Sequence, residues 1–206
     1  MPLLQEYYAT GERLPTYTGR WFDVLAGGGD RPADRDRITA DDVLAVQALS
    51  MRISPAMGRE LVNGSTGQDL ARLLQDVPSD VDLVDAGDDL IGAGSAANAF
   101  WERVREVPRA GRVTASKLLA RKRPRLIPVY DSVVKAVLGW SDGAFWRPLR
   151  DELSEADRSL WSSLEHLREA AGLPTGLTPL RVFDVVLWMD GQRQASTAGE
   201  DDEILD

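Results

Sequence analysis

Residues 107–138 read Val-Pro-Arg-Ala-Gly-Arg-Val-Thr-Ala-Ser-Lys-Leu-Leu-Ala-Arg-Lys-Arg-Pro-Arg-Leu-Ile-Pro-Val-Tyr-Asp-Ser-Val-Val-Lys-Ala-Val-Leu. Val-Pro-Arg-Ala-Gly111 is too short for anything but a tight turn between helices. The segment after it places Ala115, Leu118 and Leu119 on one face and Arg112, Ser116, Arg121 and Lys122 on the other, the spacing of an amphipathic helix. That helix must stop before Pro124, because a residue preceding proline is pushed out of the α region. Arg-Pro-Arg-Leu-Ile-Pro-Val-Tyr then reads as an extended connector, and Asp131 as the N-cap of a short apolar helix over 132–138.

Outward from this stretch the pattern stays helical. Upstream, 95–106 is a helix burying Ala99, Phe100 and Val104. Thr39-Ala-Asp-Asp42 is a capping box, with Thr39 as N-cap and Asp42 three residues on, opening a helix over about 40–51. Asp41 and Asp42 read there as first-turn acids that complement the helix dipole. Gly64 to Gly67 ends one short helix and Gln68 to Gln75 forms another, while the acidic run 76–89 is a connector. Downstream, helices are expected at about 144–153, 154–171 and 178–190. His166 falls off the apolar stripe of its helix and is expected in solvent. Asp184 sits among apolar residues and requires a partner, most simply an arginine from elsewhere in the core. No convincing strand alternation occurs. The expectation is an all-α fold: one helical domain over 1–190, with a helix-hairpin-helix unit over about 95–138 and a disordered acidic tail over 191–206.

Charge is segregated. The chain of 206 residues carries a net charge of −9, yet ten basic residues face two acidic ones between 103 and 135, a local +8. A basic face on an acidic body is expected, suited to an anionic partner. The absence of cysteine excludes disulfides, zinc-thiolate sites and thiol nucleophiles. With a single histidine, neither a metal nor a cofactor is expected. No apolar run approaches the ~20 residues of a membrane span, and the first residues lack the basic and apolar regions of a signal peptide. A soluble, cytoplasmic protein without membrane association is expected; nothing in the pattern sets its oligomeric state.

The central stretch resembles the helix-hairpin-helix DNA glycosylase superfamily. Val107-Pro-Arg-Ala-Gly111 resembles that family's hairpin, Thr114-Ala115 the start of its second helix, and Pro128-Val-Tyr-Asp131 its catalytic stretch, with Gly111 and Asp131 twenty residues apart. The resemblance covers about residues 95–140. It implies a monofunctional N-glycosylase acting on a base in DNA or a related nucleoside substrate, with Asp131 as the carboxylate that stabilises an oxocarbenium-like transition state or orients water. DNA is the implied partner, and Arg109, Gly111, Arg112, Thr114, Lys117, Arg121, Lys122 and Arg123 are the implied nucleic-acid contacts. Tyr17, Trp21, Tyr130 and Trp188 are the aromatic candidates for holding a flipped base. Arg109 stands where the family has its first hairpin glycine. Val113 stands where bifunctional members carry a Schiff-base lysine, so lyase chemistry is not expected unless Lys117 substitutes. The alternative is a non-catalytic nucleic-acid-binding or protein-interaction module using the basic face 103–135. The whole chain also resembles a bacterial domain family that carries the Tyr17-Thr-Gly-Arg20 block and the Leu118-to-Asp131 block, which implies no activity.

Overall fold

A computed structural model describes residues 2–10, 17–130, 132–139 and 145–203, with side chains to Gln194. Among these residues there is no strand. Helices α1 (Pro2–Tyr8), α2 (Trp21–Val24), α3 (Ala40–Gln47), α4 (Pro55–Asn63) and α5 (Ser65–Gln75) form the first part. Then come α6 (Asp88–Ile91), α7 (Ala96–Arg105), α8 (Arg112–Lys122) and α9 (Ser132–Leu138). The chain closes with α10 (Trp146–Ser154), α11 (Ser159–Ala170) and α12 (Pro179–Glu203). Together they build one domain of the all-α class around one apolar core.

Local chemistry sets many of the boundaries. Thr39 and Asp42 exchange both bonds of the capping box, Asp42 N to Thr39 Oγ1 at 3.2 Å and Thr39 N to Asp42 Oδ2 at 2.9 Å. Ser54 and Ser95 cap α4 and α7 through the amides of Met57 and Asn98. Helix α8 ends at Lys122, two residues before Pro124, and α9 starts at Ser132, as the sequence requires. Several boundaries move, among them the start of α11, expected near 154 and found at Ser159. Helix α3 stops at Gln47 because Ser50 turns the chain with a φ of 61°. Helix α5 begins at Ser65, three residues before the predicted Gln68. Helix α12 passes through its predicted end at 190: Gly191 packs so tightly on α9 that an added Cβ would lie 2.6 Å from a methyl of Val133.

Helix α8 is the centre of the packing. It packs against α7 and α3, and α7 in turn rests on α5. Every residue from Thr114 to Arg123 is buried. The predicted amphipathic division of this helix is therefore incorrect for Ser116, Arg121 and Lys122, which face the interior. Helix α12 completes the domain by packing on α1, α9 and α11. No helix among the described residues is long and apolar enough to cross a membrane.

Candidate functional site

The cations at the end of α8 are internal. Arg121, Lys122 and Arg123 are 2 %, 0 % and 1 % exposed. Asp42 answers two of them, with Arg121 Nε to Oδ1 at 3.3 Å and Lys122 Nζ to Oδ2 at 3.0 Å. Arg121 also donates to the carbonyls of Phe22 and Leu25 around the end of α2. Arg123 donates to the Leu74 and Val77 carbonyls at the end of α5, to Arg35 O at 2.7 Å and to Asp36 Oδ1 at 2.7 Å. Carbonyls at a helix C-terminus are the groups a helix leaves unsatisfied, and a guanidinium fork suits them. Burial pushes the ionisation of Lys122 below its ordinary value, with Asp42 opposing the shift; Arg121 and Arg123 move the same way.

The predicted nucleic-acid contacts divide by exposure. Thr114, Lys117, Arg121, Lys122 and Arg123 are buried, Lys117 against the larger of two cavities beside α8. Arg109, Gly111 and Arg112 are exposed. Arg109, in place of the hairpin glycine, adopts a left-handed backbone with a φ of 68°, the region that glycine enters without steric cost. Arg103 and Arg105, also in the predicted basic face, pair with Asp69 and Glu106 and with Glu102.

Helix α8 separates two cavities. Val113 and Lys117, one turn apart, line the larger, of about 510 Å³. Arg112 and Ser116, the adjacent i, i+4 pair, line the smaller, of about 200 Å³. The larger cavity is bounded by α1, the Tyr17–Gly19 segment, the α3–α4 connection, α8, α9 and α12. Its aromatic wall is continuous: Tyr7 stacks on Tyr17 with ring centroids 5.5 Å apart, and Trp188 meets Tyr17 edge-on at 5.6 Å. Lys117, 4 % exposed, donates from Nζ to Leu49 O at 3.1 Å.

A buried ion network forms the polar side of this cavity. Arg181 donates from Nε to Asp23 Oδ2 at 2.9 Å, from Nη1 to Asp184 Oδ2 at 2.6 Å, and from Nη2 to Tyr7 Oη at 2.9 Å and Gly19 O at 3.1 Å. Burial alone would depress the Arg181 ionisation, but Asp184, Asp23 and the two tyrosines hold it well above its ordinary value. Desolvation raises Tyr7, and it raises Tyr8 further with the help of the Asp23 charge. The partner of Asp184 is thus an arginine one turn earlier on its own helix, where the sequence pointed elsewhere in the core. Gly19 is required by close approach: an added Cβ would stand 2.0 Å from Tyr7 Oη.

Of the predicted aromatic residues, Tyr17 and Trp188 meet in the larger cavity. Tyr130 lines the smaller one, and Trp21 stands 47 % exposed at the surface under the guanidinium of Arg20. Asp131 lies outside the described residues, but Val129 and Ser132 both line the larger cavity. His166 is exposed, its Nδ1 paired with Ser162 O at 2.7 Å. Sequence reasoning missed Tyr7 and Arg181 as lining residues. The available signal was Arg181 and Asp184 at i, i+3 on an otherwise apolar helix.

A family model described as a family of unknown function, DUF6308, matches residues 1–191. No curated protein and no solved structure matches the chain.

Proposed function

The chain belongs to the DUF6308 family, and for it we propose hydrolysis of an N-glycosidic bond in a nucleoside-like substrate held in the larger cavity, with Asp131 as the key carboxylate. The observation that carries this reading is that Val129 and Ser132, two residues before and one after Asp131 in sequence, line the same cavity as Tyr17, Trp188, Lys117 and Asp184, while Tyr130 lines the smaller one. A volume of about 510 Å³ falls in the ordinary range for small-molecule sites. Tyr17 and Trp188 offer faces and edges for a planar base. As the bond from C1′ to the base nitrogen breaks, positive charge grows on the sugar, and a fixed carboxylate lowers the energy of that state. Water then adds to C1′ and the base leaves with a proton. Asp184, held at 2.6 Å by Arg181, supplies a negative charge in the wall, and Lys117 a donor for the base or a sugar hydroxyl.

The buried state of Arg121, Lys122 and Arg123 favours a small substrate over a duplex. A protein that holds duplex DNA places cations against phosphates and shows a steep salt dependence. Here those cations already hold Asp42, Asp36 and the carbonyls of three helix-end or loop segments together.

The test incubates the full chain with a panel of purine and pyrimidine nucleosides, free and within single-stranded and duplex oligonucleotides, and follows free base by chromatography. Base release that disappears in Asp131→Asn, with the circular dichroism unchanged, is the expected result. Equal release by that variant overturns the assignment of Asp131. Salt-sensitive duplex binding without release from any substrate would instead support the non-catalytic alternative.

A further inference from the structure

A third cavity, of about 440 Å³, lies between α4, the start of α5 and the turn that joins α7 to α8, and we propose that it binds a free α-amino acid with an aliphatic side chain. Its floor is apolar. Met57 and Val107 are 4 % and 5 % exposed, and Ala56 and Pro108 line the cavity beside them. A thioether adapts its shape to what it meets, and an apolar cleft with a few polar groups is the ordinary form of a small-molecule site.

The charged residues that line it are Glu60, Glu106 and Arg109. Glu106 is exposed and already answered by Arg103 Nη1 at 2.9 Å. Glu60 accepts from neutral donors, Thr66 N at 3.0 Å and Ser65 Oγ at 3.3 Å. These bonds, that of the Thr66 amide foremost, hold Glu60 below the usual carboxylate range. Among the described residues neither Glu60 nor Arg109 forms an ion pair, so two opposite charges share one cavity without meeting. An ammonium and a carboxylate on one carbon would answer both, the ammonium at Glu60 and the carboxylate through the two parallel bonds a guanidinium offers. A simple amine or a simple acid answers only one.

The backbone presents Arg109 to the cavity at a cost. Ala110 N donates to Val107 O at 2.9 Å and closes the turn, within which Arg109 has a φ of 68°. Glycine would enter that region without steric penalty. A bulky residue held there against local preference is a mark of ligand sites, and here it carries the guanidinium that the carboxylate requires.

L-leucine tests this by calorimetric titration into the full chain, with isoamylamine, isocaproate and glycine as ligands that lack its carboxylate, its ammonium and its side chain. Saturable one-to-one binding of leucine is expected, with each control weaker by about tenfold. Glu60→Gln keeps an oxygen for the Thr66 and Ser65 donors; it should lose about tenfold in affinity for leucine and leave that for isocaproate unchanged. Arg109→Gly, which relieves the turn, should keep its thermal midpoint or raise it, lose about tenfold for leucine and leave isoamylamine unchanged. In a methyl-correlated spectrum leucine should shift the Met57 resonance, assigned with Met57→Leu, and leave in place that of Met51, which lines the larger cavity. Absence of saturable binding at millimolar leucine, unchanged leucine affinity in either variant, or a shift at Met51 instead would each overturn the proposal.

Discussion

The two ends of α8 use the same residue types for opposite purposes. At its C-terminal end Arg121 and Lys122, with Arg123 beyond, are closed off: each is bonded to Asp42, Asp36 or the carbonyls of α2, α5 and the 35–36 loop. At its N-terminal half Arg112, Ser116 and Lys117 open onto two cavities. Charge density in a sequence therefore does not separate a binding face from an internal brace. What separates them here is whether the side chains line a cavity.

The sharpest way to break the comparison is to remove the shared counter-charge. Asp42→Ala leaves Arg121 and Lys122 buried without their carboxylate and opens the capping box of α3, so urea unfolding should show a loss of about 3–5 kcal/mol. Replacing all three together, Asp42→Leu with Arg121→Met and Lys122→Met, should recover much of it, since an apolar substitute for a buried ion pair is often neutral or better. A triple variant as unstable as Asp42→Ala would mean that the carbonyl bonds of Arg121 carry more than the ion pairs do.

At the open end the sign reverses. Ser116→Ala deletes a buried hydroxyl without a hydrogen-bond partner among the described residues, and the thermal midpoint should rise with a gain of about 1 kcal/mol. A loss of stability there would show that the hydroxyl is satisfied in solution and would blur the contrast.

Arg125 lies just outside the buried run and marks the limit of the brace. It holds Asp82 through Nε to Oδ1 at 2.9 Å and Nη2 to Oδ2 at 2.5 Å, but it is exposed. Arg125→Gln should cost only about 0.2–1 kcal/mol, less in high salt. A cost comparable to that of Asp42→Ala would erase the distinction between buried and exposed pairs.

Tyr8→Phe should be the quietest variant near neutrality and visible only in alkali. Burial and Asp23 raise the Tyr8 phenol above its ordinary value of 10.0. The folded state therefore keeps the proton after the unfolded chain has lost it. That stabilisation is fully present below pH 10.0 and fades as pH rises through the folded value. Stability measured from pH 9 upward, roughly a unit either side of that value, should fall less steeply in Tyr8→Phe than in the native chain. Parallel curves would place the tyrosine outside the network of Asp23 and Arg181.

Most of the helices were legible because their signals are local. The capping box at Thr39, the stop before Pro124 and the start of α9 after Asp131 each depend on residues within one turn. The need of Asp184 for an arginine was also legible, though not that Arg181 lay one turn away. The interior position of Arg121, Lys122 and Arg123 was not. Ala115, Leu118 and Leu119 suggest one buried face, and the remaining positions of α8 read as solvent-facing. Their counter-groups stand far back in the chain: Asp42 precedes Arg121 by 79 positions, and Asp36 precedes Arg123 by 87. No periodicity reports a pairing of that range. The same limit hid the convergence of Tyr7, Gly19 and Arg181, and it made Tyr17, Trp21, Tyr130 and Trp188 look equivalent when they occupy three different environments.

The bond between Tyr7 and Arg181 spans 174 positions, and this has a consequence for synthesis. At about 5–20 residues per second, α1 waits roughly 10–35 s on the ribosome before the first turn of α12 has even been made. During that interval the aromatic surface of Tyr7 and Tyr8 has no arginine beside it, and Gly19 has no guanidinium on its carbonyl. A nascent chain halted before Pro179 should therefore be cut readily by proteases within α1, and one extended past Arg193, which pairs with Glu6 at 2.7 Å, should be protected there.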